Sequence, residues 1–199
     1  MIEDCTAIIL AGGDSQRMGS DKANLLLGKQ TLLQRVIETM QQSFPQVIIS
    51  VRQPRPEINL PQICDEHINA GPLAGLAASL GQVTTPWAFV VGCDMPFVKP
   101  ALIEMLSQRR AQHQAVVPMV QGHPQPMAAF YASSCLSTIR ANLAGSGKKS
   151  LRALLEQLQV CYVDETELLQ ADPTLRSFFD LDTPQDVAEA LKSSEINNG

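Results

Sequence analysis

The sequence predicts a three-layer α/β domain built around a largely parallel central sheet. Two observations carry this expectation. Short apolar runs alternate along the chain with segments whose apolar residues recur at helical spacing, and such a βαβα order places helices over both faces of a parallel sheet. One run, Trp87-Ala88-Phe89-Val90-Val91, is apolar at successive positions, as expected of a central strand covered on both sides.

Taken in order, Thr6-Ala7-Ile8-Ile9-Leu10 reads as a buried strand ending at Ala11-Gly12-Gly13. Between Thr31 and Met40, residues Leu32, Leu33, Val36, Ile37 and Met40 fall on one helix face. Val47 to Val51 is a second strand, and the proline-rich stretch Pro54 to Pro61 is a loop, since proline removes backbone donors. Gln62-Ile63-Cys64 is another short strand end. Pro72 suits the first turn of a helix running to about Leu80. A helix from Pro100 to about Arg110 follows the central strand. Ala115 to Pro118 and Met127 to Tyr131 read as strands, and two helices are expected near the end, from about Ser150 and about Pro184. One domain over 1–192 is expected, with the polar stretch 193–199 as a frayed tail.

Composition narrows the function. The 199 residues are 45% hydrophobic and 18% charged, ordinary globular values. A formal charge of -5 disfavours nucleic acid as a partner. Any phosphate site must then rest on a few placed cations and backbone amides. The five cysteines are odd in number and form no CxxC pair, which suits reduced thiols in the cytoplasm. No apolar run is long enough to span a membrane.

The segment from Leu10 to Lys22 carries most of the chemistry. Open α/β sheets bind ligands at the carboxyl ends of their strands, where this loop lies. Gly12 and Gly13 let backbone amides approach phosphate oxygens, and Arg17 and Lys22 add positive charge. A plain strand-to-helix turn is the simpler alternative, but it needs no such concentration of glycines and cations. The GxGxxG pattern is absent, and neither Gly28-Lys29-Gln30 nor Gly145-Ser146-Gly147-Lys148-Lys149-Ser150 meets the GxxxxGK[ST] requirement. The second of these reads as a loop leading into a helix capped by Ser150, or as a cover for a phosphorylated substrate.

Asp94 follows the central strand in Gly92-Cys93-Asp94-Met95-Pro96 and offers a hard oxygen ligand for Mg²⁺, which keeps water and phosphate oxygens as its other ligands. A turn or capping role is the alternative. Asp65, after Cys64, is a candidate for hydrogen bonding to a base or ribose. Gly71-Pro72-Leu73-Ala74-Gly75 opens a helix whose amides can meet a ligand, or simply permits close packing. Asp180 and Asp182 alternate along an extended segment, so both face one side; Asp182 is a candidate second metal contact, and helix capping by Asp182 or Thr183 is the alternative. His67, His113 and His123 have no metal-ligand spacing. His113 is expected at a solvated helix end, and the loop Gln121 to Pro126 around His123 is a candidate for facing a second substrate.

Leu10-Ala11-Gly12-Gly13 with Ser15, Arg17, Met18, Gly19, Asp21 and Lys22 closely resembles the signature loop of molybdenum cofactor guanylyltransferases. Gly71 to Gly75, Cys93-Asp94-Met95-Pro96-Phe97 and Asp180-Leu181-Asp182-Thr183-Pro184 resemble the family's later segments in the same order, so the likeness spans nearly the whole chain. The double glycine separates the chain from cytidylyltransferases acting on the same pterin, which usually show Ala-Ala-Gly. The resemblance implies a Rossmann-like nucleotidyltransferase fold, GTP and molybdopterin as substrates, Mg²⁺ as cofactor and a monomer in transient contact with proteins that supply the pterin or receive the product. It places Leu10, Ala11, Gly12 and Gly13 on the nucleotide, Lys22 on the phosphates, Asp65 on the nucleoside and Asp94 on the metal, with Arg17, Lys22 and Asp94 as the catalytic set. Ser50 stands where some relatives carry a nucleotide-touching Asn. Alternatives are a nucleotidyltransferase of other specificity, acting with CTP or on a sugar phosphate, and a non-catalytic GTP-binding regulatory protein.

Overall fold

The computed structural model describes residues 1–12, 22–64, 71–181, 183 and 185–190. The sequence expectations for Gly13, Arg17, Asp65, Asp182 and the tail 193–199 lie outside these residues.

The strands are β1 (Cys5–Leu10), β2 (Leu26–Leu27), β3 (Gln30–Thr31), β4 (Gln46–Val51), β5 (Gln62–Cys64), β6 (Trp87–Gly92), β7 (Ala115–Val120), β8 (His123–Pro124), β9 (Ala128–Ala132) and β10 (Val160–Val163). The helices are α1 (Leu32–Ser43), α2 (Gly71–Leu80), α3 (Pro100–Ser107), α4 (Leu136–Ala144), α5 (Leu151–Leu155) and α6 (Glu165–Ala171), followed by a helix over 185–190. The main sheet runs in the order β10-β7-β9-β6-β1-β4-β5, with β8 hairpinned onto β7, while β2 and β3 form a separate small hairpin.

The pairs β1–β4, β1–β6, β4–β5 and β7–β10 are parallel. β9 runs antiparallel to both β6 and β7. The sheet is therefore mostly parallel, as expected. β6 and β7 point the same way, so their carboxyl ends share one edge. Hydrophobic pattern predicts a strand but not its direction, so the reversal of β9 had no signal.

Side chains alternate across β1. Ala7 and Ile9 join one core layer with Phe89, Phe130, Leu33 of α1 and Leu102 of α3. Ile8 and Leu10 join the other, with Val90, Tyr131, Leu76 of α2 and Ile139 of α4. This gives the three layers. The rings of Phe44, Phe89 and Phe130 cluster in the first layer, with the Phe89 and Phe130 centroids 4.8 Å apart. α1 starts at a capping box in which the Thr31 hydroxyl accepts from the Gln34 amide at 3.1 Å and the Gln34 side chain accepts from the Thr31 amide at 2.9 Å.

Several expected boundaries shift. α3 stops at Ser107 rather than continuing to Arg110. His113 sits in a turn beyond α3 rather than at a helix end, and its Nδ1 is buried. The last third holds α4 and α6 as well as the two expected helices. Ser150 does cap α5, accepting from the Ala153 amide at 3.2 Å. Cys5, Cys93 and Cys135 are buried and Cys64 is exposed, all free thiols. Among the described residues no helix is long and apolar enough to cross a membrane.

Candidate active site

The parallel strands converge on one edge of the sheet. β1 ends there at Leu10, level with Gly92 of β6 on one side and Ser50 of β4 on the other. Beyond the strands the backbone stays knitted together. The Ala11 amide donates to the Ser50 carbonyl at 2.8 Å, and the Cys93 amide donates to the Leu10 carbonyl at 3.1 Å. These bonds hold the start of the glycine loop and the Asp94 loop side by side. A Cβ on Gly12 would lie 3.5 Å from the Arg52 side chain, so the loop passes close to the end of β4.

Asp94 is shaped by its own neighbours. The Met95 amide donates to the Gly92 carbonyl at 3.2 Å, which closes a turn around the acid. The Leu181 amide donates to the Asp94 carbonyl at 2.9 Å, clamping that turn from the far end of the chain. Leu181 is fully buried beside Leu27, Leu32 and Val187, so the clamp has an apolar anchor.

Lys22 lies in a short 3₁₀ turn, Lys22–Asn24, and its Nζ stands 3.7 Å from Oδ2 of Asp94. The two side chains are 27% and 22% exposed, open to a ligand yet shielded from full solvent screening. A cation and a carboxylate at this edge can divide a bound polyphosphate between them, one meeting phosphate oxygens directly and the other through a metal ion. Among the described residues no three His, Cys, Asp or Glu side chains gather into a metal-binding group. The Asp94 carboxylate is a hard oxygen donor of the kind a divalent ion takes together with water and phosphate oxygens.

Of the sequence candidates, Leu10, Ala11, Gly12, Lys22 and Asp94 come together here. Ser50 is 1% exposed, with its hydroxyl beneath α2. A Cβ on Gly75 would fall 2.6 Å from that hydroxyl and 3.3 Å from Cδ2 of Leu10. Gly75 thus permits close packing. Asp180 is exposed while Leu181 points inward, the alternation expected of an extended segment. The cap of the helix over 185–190 is Thr183. Its hydroxyl accepts from the Asp186 amide at 3.1 Å, and its amide donates to the Asp186 carboxylate at 2.6 Å.

A supporting cluster had no sequence signal. Asp172, fully buried, pairs with Nζ of Lys99 at 2.8 Å and accepts the Ser177 amide at 2.7 Å and the Thr174 hydroxyl at 3.2 Å. The Ser177 hydroxyl in turn accepts the Lys99 amide at 3.1 Å and donates to the Phe97 carbonyl at 3.4 Å. Burial pushes the Asp172 carboxyl up, but the bonds from Lys99 and Ser177 outweigh it and hold the pKa down at about 2. The Arg176 guanidinium stacks 4.1 Å from the Phe97 ring centroid. Together these contacts fasten residues 172–178 to the segment that follows Asp94. The residues involved are far apart in sequence, and only the fold brings them together.

Comparison with known proteins fits this geometry. Residues 7–161 match the family model described as a MobA-like NTP transferase domain. The molybdenum cofactor guanylyltransferase of Desulfosudis oleivorans is 31% identical, over 96% of this chain and 98% of its own. The probable molybdenum cofactor guanylyltransferase of Chloroflexus aggregans is 35% identical, over 92% of this chain and 91% of its own. The crystal structure of molybdopterin-guanine dinucleotide biosynthesis protein A from Archaeoglobus fulgidus superposes with a TM-score of 0.84 at 28% identity, covering 96% of this chain and 99% of that one. The match to the family model and the near full-length likeness to these proteins show that the chain belongs to the MobA-like NTP transferase family of nucleotidyltransferases.

Proposed function

We propose that this protein transfers the guanylyl group of GTP to molybdopterin, forming the guanine dinucleotide cofactor and releasing pyrophosphate. The observation that carries the reading is the Lys22–Asp94 pair at the carboxyl end of β6, beside the backbone of Leu10 to Gly12. An oxygen of the terminal phosphate of molybdopterin attacks the α-phosphorus of GTP. The new P–O bond forms as the bond to the oxygen bridging the α- and β-phosphates breaks, and the electron pair leaves with pyrophosphate. The protein's work is positioning and charge neutralisation.

In this reading Lys22 and Arg17 meet the triphosphate and the leaving pyrophosphate, and the amides of Leu10, Ala11, Gly12 and Gly13 line its path. Asp65 contacts the nucleoside. Asp94 would hold a divalent ion, Mg²⁺, which would supply charge neutralisation for the phosphate-bearing substrates. The protein acts as a cytoplasmic monomer that meets its pterin donor and product acceptor transiently.

The test is direct. Purified protein is incubated with Mg²⁺, molybdopterin and each nucleoside triphosphate, and the dinucleotide is identified by mass. GTP is expected to be the preferred donor, because a site built on hydrogen bonds to one base leaves its own polar groups unpaired with another. Lys22→Ala and Asp94→Ala are expected to melt like the parent and to lose on the order of 10²–10³ in kcat. Near-normal turnover in either variant rejects the assignment, and equal turnover with CTP moves the protein to cytidylyl transfer.

A further inference from the structure

A second cleft opens at the carboxyl end of β7, on the opposite side of β6 from β1. Its volume is about 780 Å³, within the range of small-molecule sites. One wall is the β7–β8 hairpin, with Val120, Gln121 and His123; the other is Phe178 and Phe179, with Glu189 from the helix over 185–190.

Both walls are tied to the Asp94 loop. The Gly92 amide donates to the Met127 carbonyl at 3.1 Å, two residues beyond Gln125 of the cleft. The Leu181 amide reaches the Asp94 carbonyl two residues beyond Phe179. Gln125 to Met127 lies in a turn closed by the Ala128 amide on the Gln125 carbonyl at 3.2 Å, and an extended chain advances about 3.3 Å per residue, so neither wall lies more than roughly 7 Å of chain from its tie beside Asp94. Sheet order sets the sides: β9 and β7 flank β6 on the cleft side, and β1 and β4 flank it on the side of the glycine loop.

That placement matters for in-line chemistry. Attacking and leaving oxygens must lie on opposite sides of the α-phosphorus. With the leaving pyrophosphate drawn to Lys22 and the glycine loop, the attacking phosphate arrives from the β9–β7 side, where the cleft lies. The lining then selects for the rest of the acceptor. Phe179 is 40% exposed and offers an apolar face to a flat ring. Glu189 is exposed, and a carboxylate accepts two neighbouring N–H donors in parallel. A pterin supplies both features, a flat ring and an aminopyrimidinone edge with adjacent N–H groups. Gln121 and His123 remain for its other polar atoms.

We infer that this cleft seats the pterin of the acceptor, with Phe179 against the ring and Glu189 at its aminopyrimidinone edge. The inference rests on the reading of molybdopterin as acceptor. Guanine carries the same edge, so the experiment must separate the two.

The variants are Phe179→Ala and Glu189→Gln; both side chains are exposed, and the second change keeps the shape, so melting temperature serves as the folding control. Binding of the fluorescent probe 6-hydroxymethylpterin is measured by quenching without GTP or metal, and KM for molybdopterin and for GTP are measured in the full reaction. Each variant is expected to weaken probe binding and raise KM for molybdopterin by about tenfold or more, with KM for GTP unchanged. A raised KM for GTP with probe binding intact overturns the inference and gives the cleft to guanine. Unchanged probe binding in both variants overturns it as well, whatever the transfer activity. Probe binding that the variants weaken, in a wild-type protein that transfers nothing, upholds the cleft and rejects the transfer reading instead.

Discussion

A Cβ placed on Gly92 falls 2.4 Å from Oδ1 of Asp94 and 3.2 Å from Cε of Met127. The carboxylate occupies the space that any side chain at position 92 would fill. Gly92→Ala is therefore expected to turn the Asp94 side chain out of place while leaving the sheet intact. Transfer activity should fall toward that of Asp94→Ala, with the melting temperature much less affected. A Gly92→Ala enzyme with wild-type kcat and metal requirement contradicts this, and the two readouts are steady-state kinetics across a metal titration and thermal unfolding.

The Gly75–Ser50 contact makes a packing prediction. The 2.6 Å approach to the Ser50 hydroxyl means Gly75→Ala overfills the seam between α2 and the sheet, at a cost of about 1–3 kcal/mol. Removing the hydroxyl relieves it, since the Ser50 Cβ lies 3.6 Å away. Adding Ser50→Ala to Gly75→Ala should recover much of the lost stability. Denaturant midpoints of the two single variants and the double variant form the cycle that measures the coupling.

Asp172 makes a pH prediction. Its folded pKa is about 2, below the ordinary 3.8, so ionised Asp172 favours the folded state. That contribution is fully present above about pH 4 and disappears as the pH falls through about 2. Asp172→Asn should cost roughly 1.5–3 kcal/mol near neutrality, the value of hydrogen bonds to a charged group. It should also flatten the acid limb, so that wild type and variant converge near about pH 2. Urea midpoints measured across that range check both statements, and parallel curves with a constant gap would contradict the linkage.

The thiols should divide by environment. Burial pushes the thiol of Cys5 up to about 12 and that of Cys135 up to about 11, so neither forms thiolate under ordinary conditions. Cys64 is exposed at the end of β5. Iodoacetamide at about pH 8 is expected to modify Cys64 in the folded protein while Cys5 and Cys135 react only after unfolding. Peptide mass mapping reads the order.

Much of the fold was legible from the sequence. The runs that became β1, β4 and β6 are rich in apolar residues, the buried face of α1 follows helical spacing, and α2 carries Pro72 in its first turn. What escaped had weak local signals. α4 buries only Ile139 and Leu143, and β10 spans four residues with Tyr162 exposed. For the candidate site, the order of strand, loop and acid was enough to expect Lys22 and Asp94 on one edge, and they lie 3.7 Å apart. The Asp172–Lys99–Ser177 cluster and the clamp of Leu181 on Asp94 join residues with no motif between them. Ser50 stands where some relatives carry a nucleotide-touching Asn, and here the helix above it hides its hydroxyl.

The clamp of Leu181 on Asp94 also orders events during synthesis. By the time β6 and Asp94 leave the ribosome, β1, β4 and β5 are already available to pair. The acid's turn still lacks the amide that holds it, and α3 still lacks the buried aspartate at its foot. A nascent chain can thus assemble half its sheet long before its chemistry is armed, and a translation product halted short of residue 172 would carry the phosphate-loop sequence without the framework that aims it.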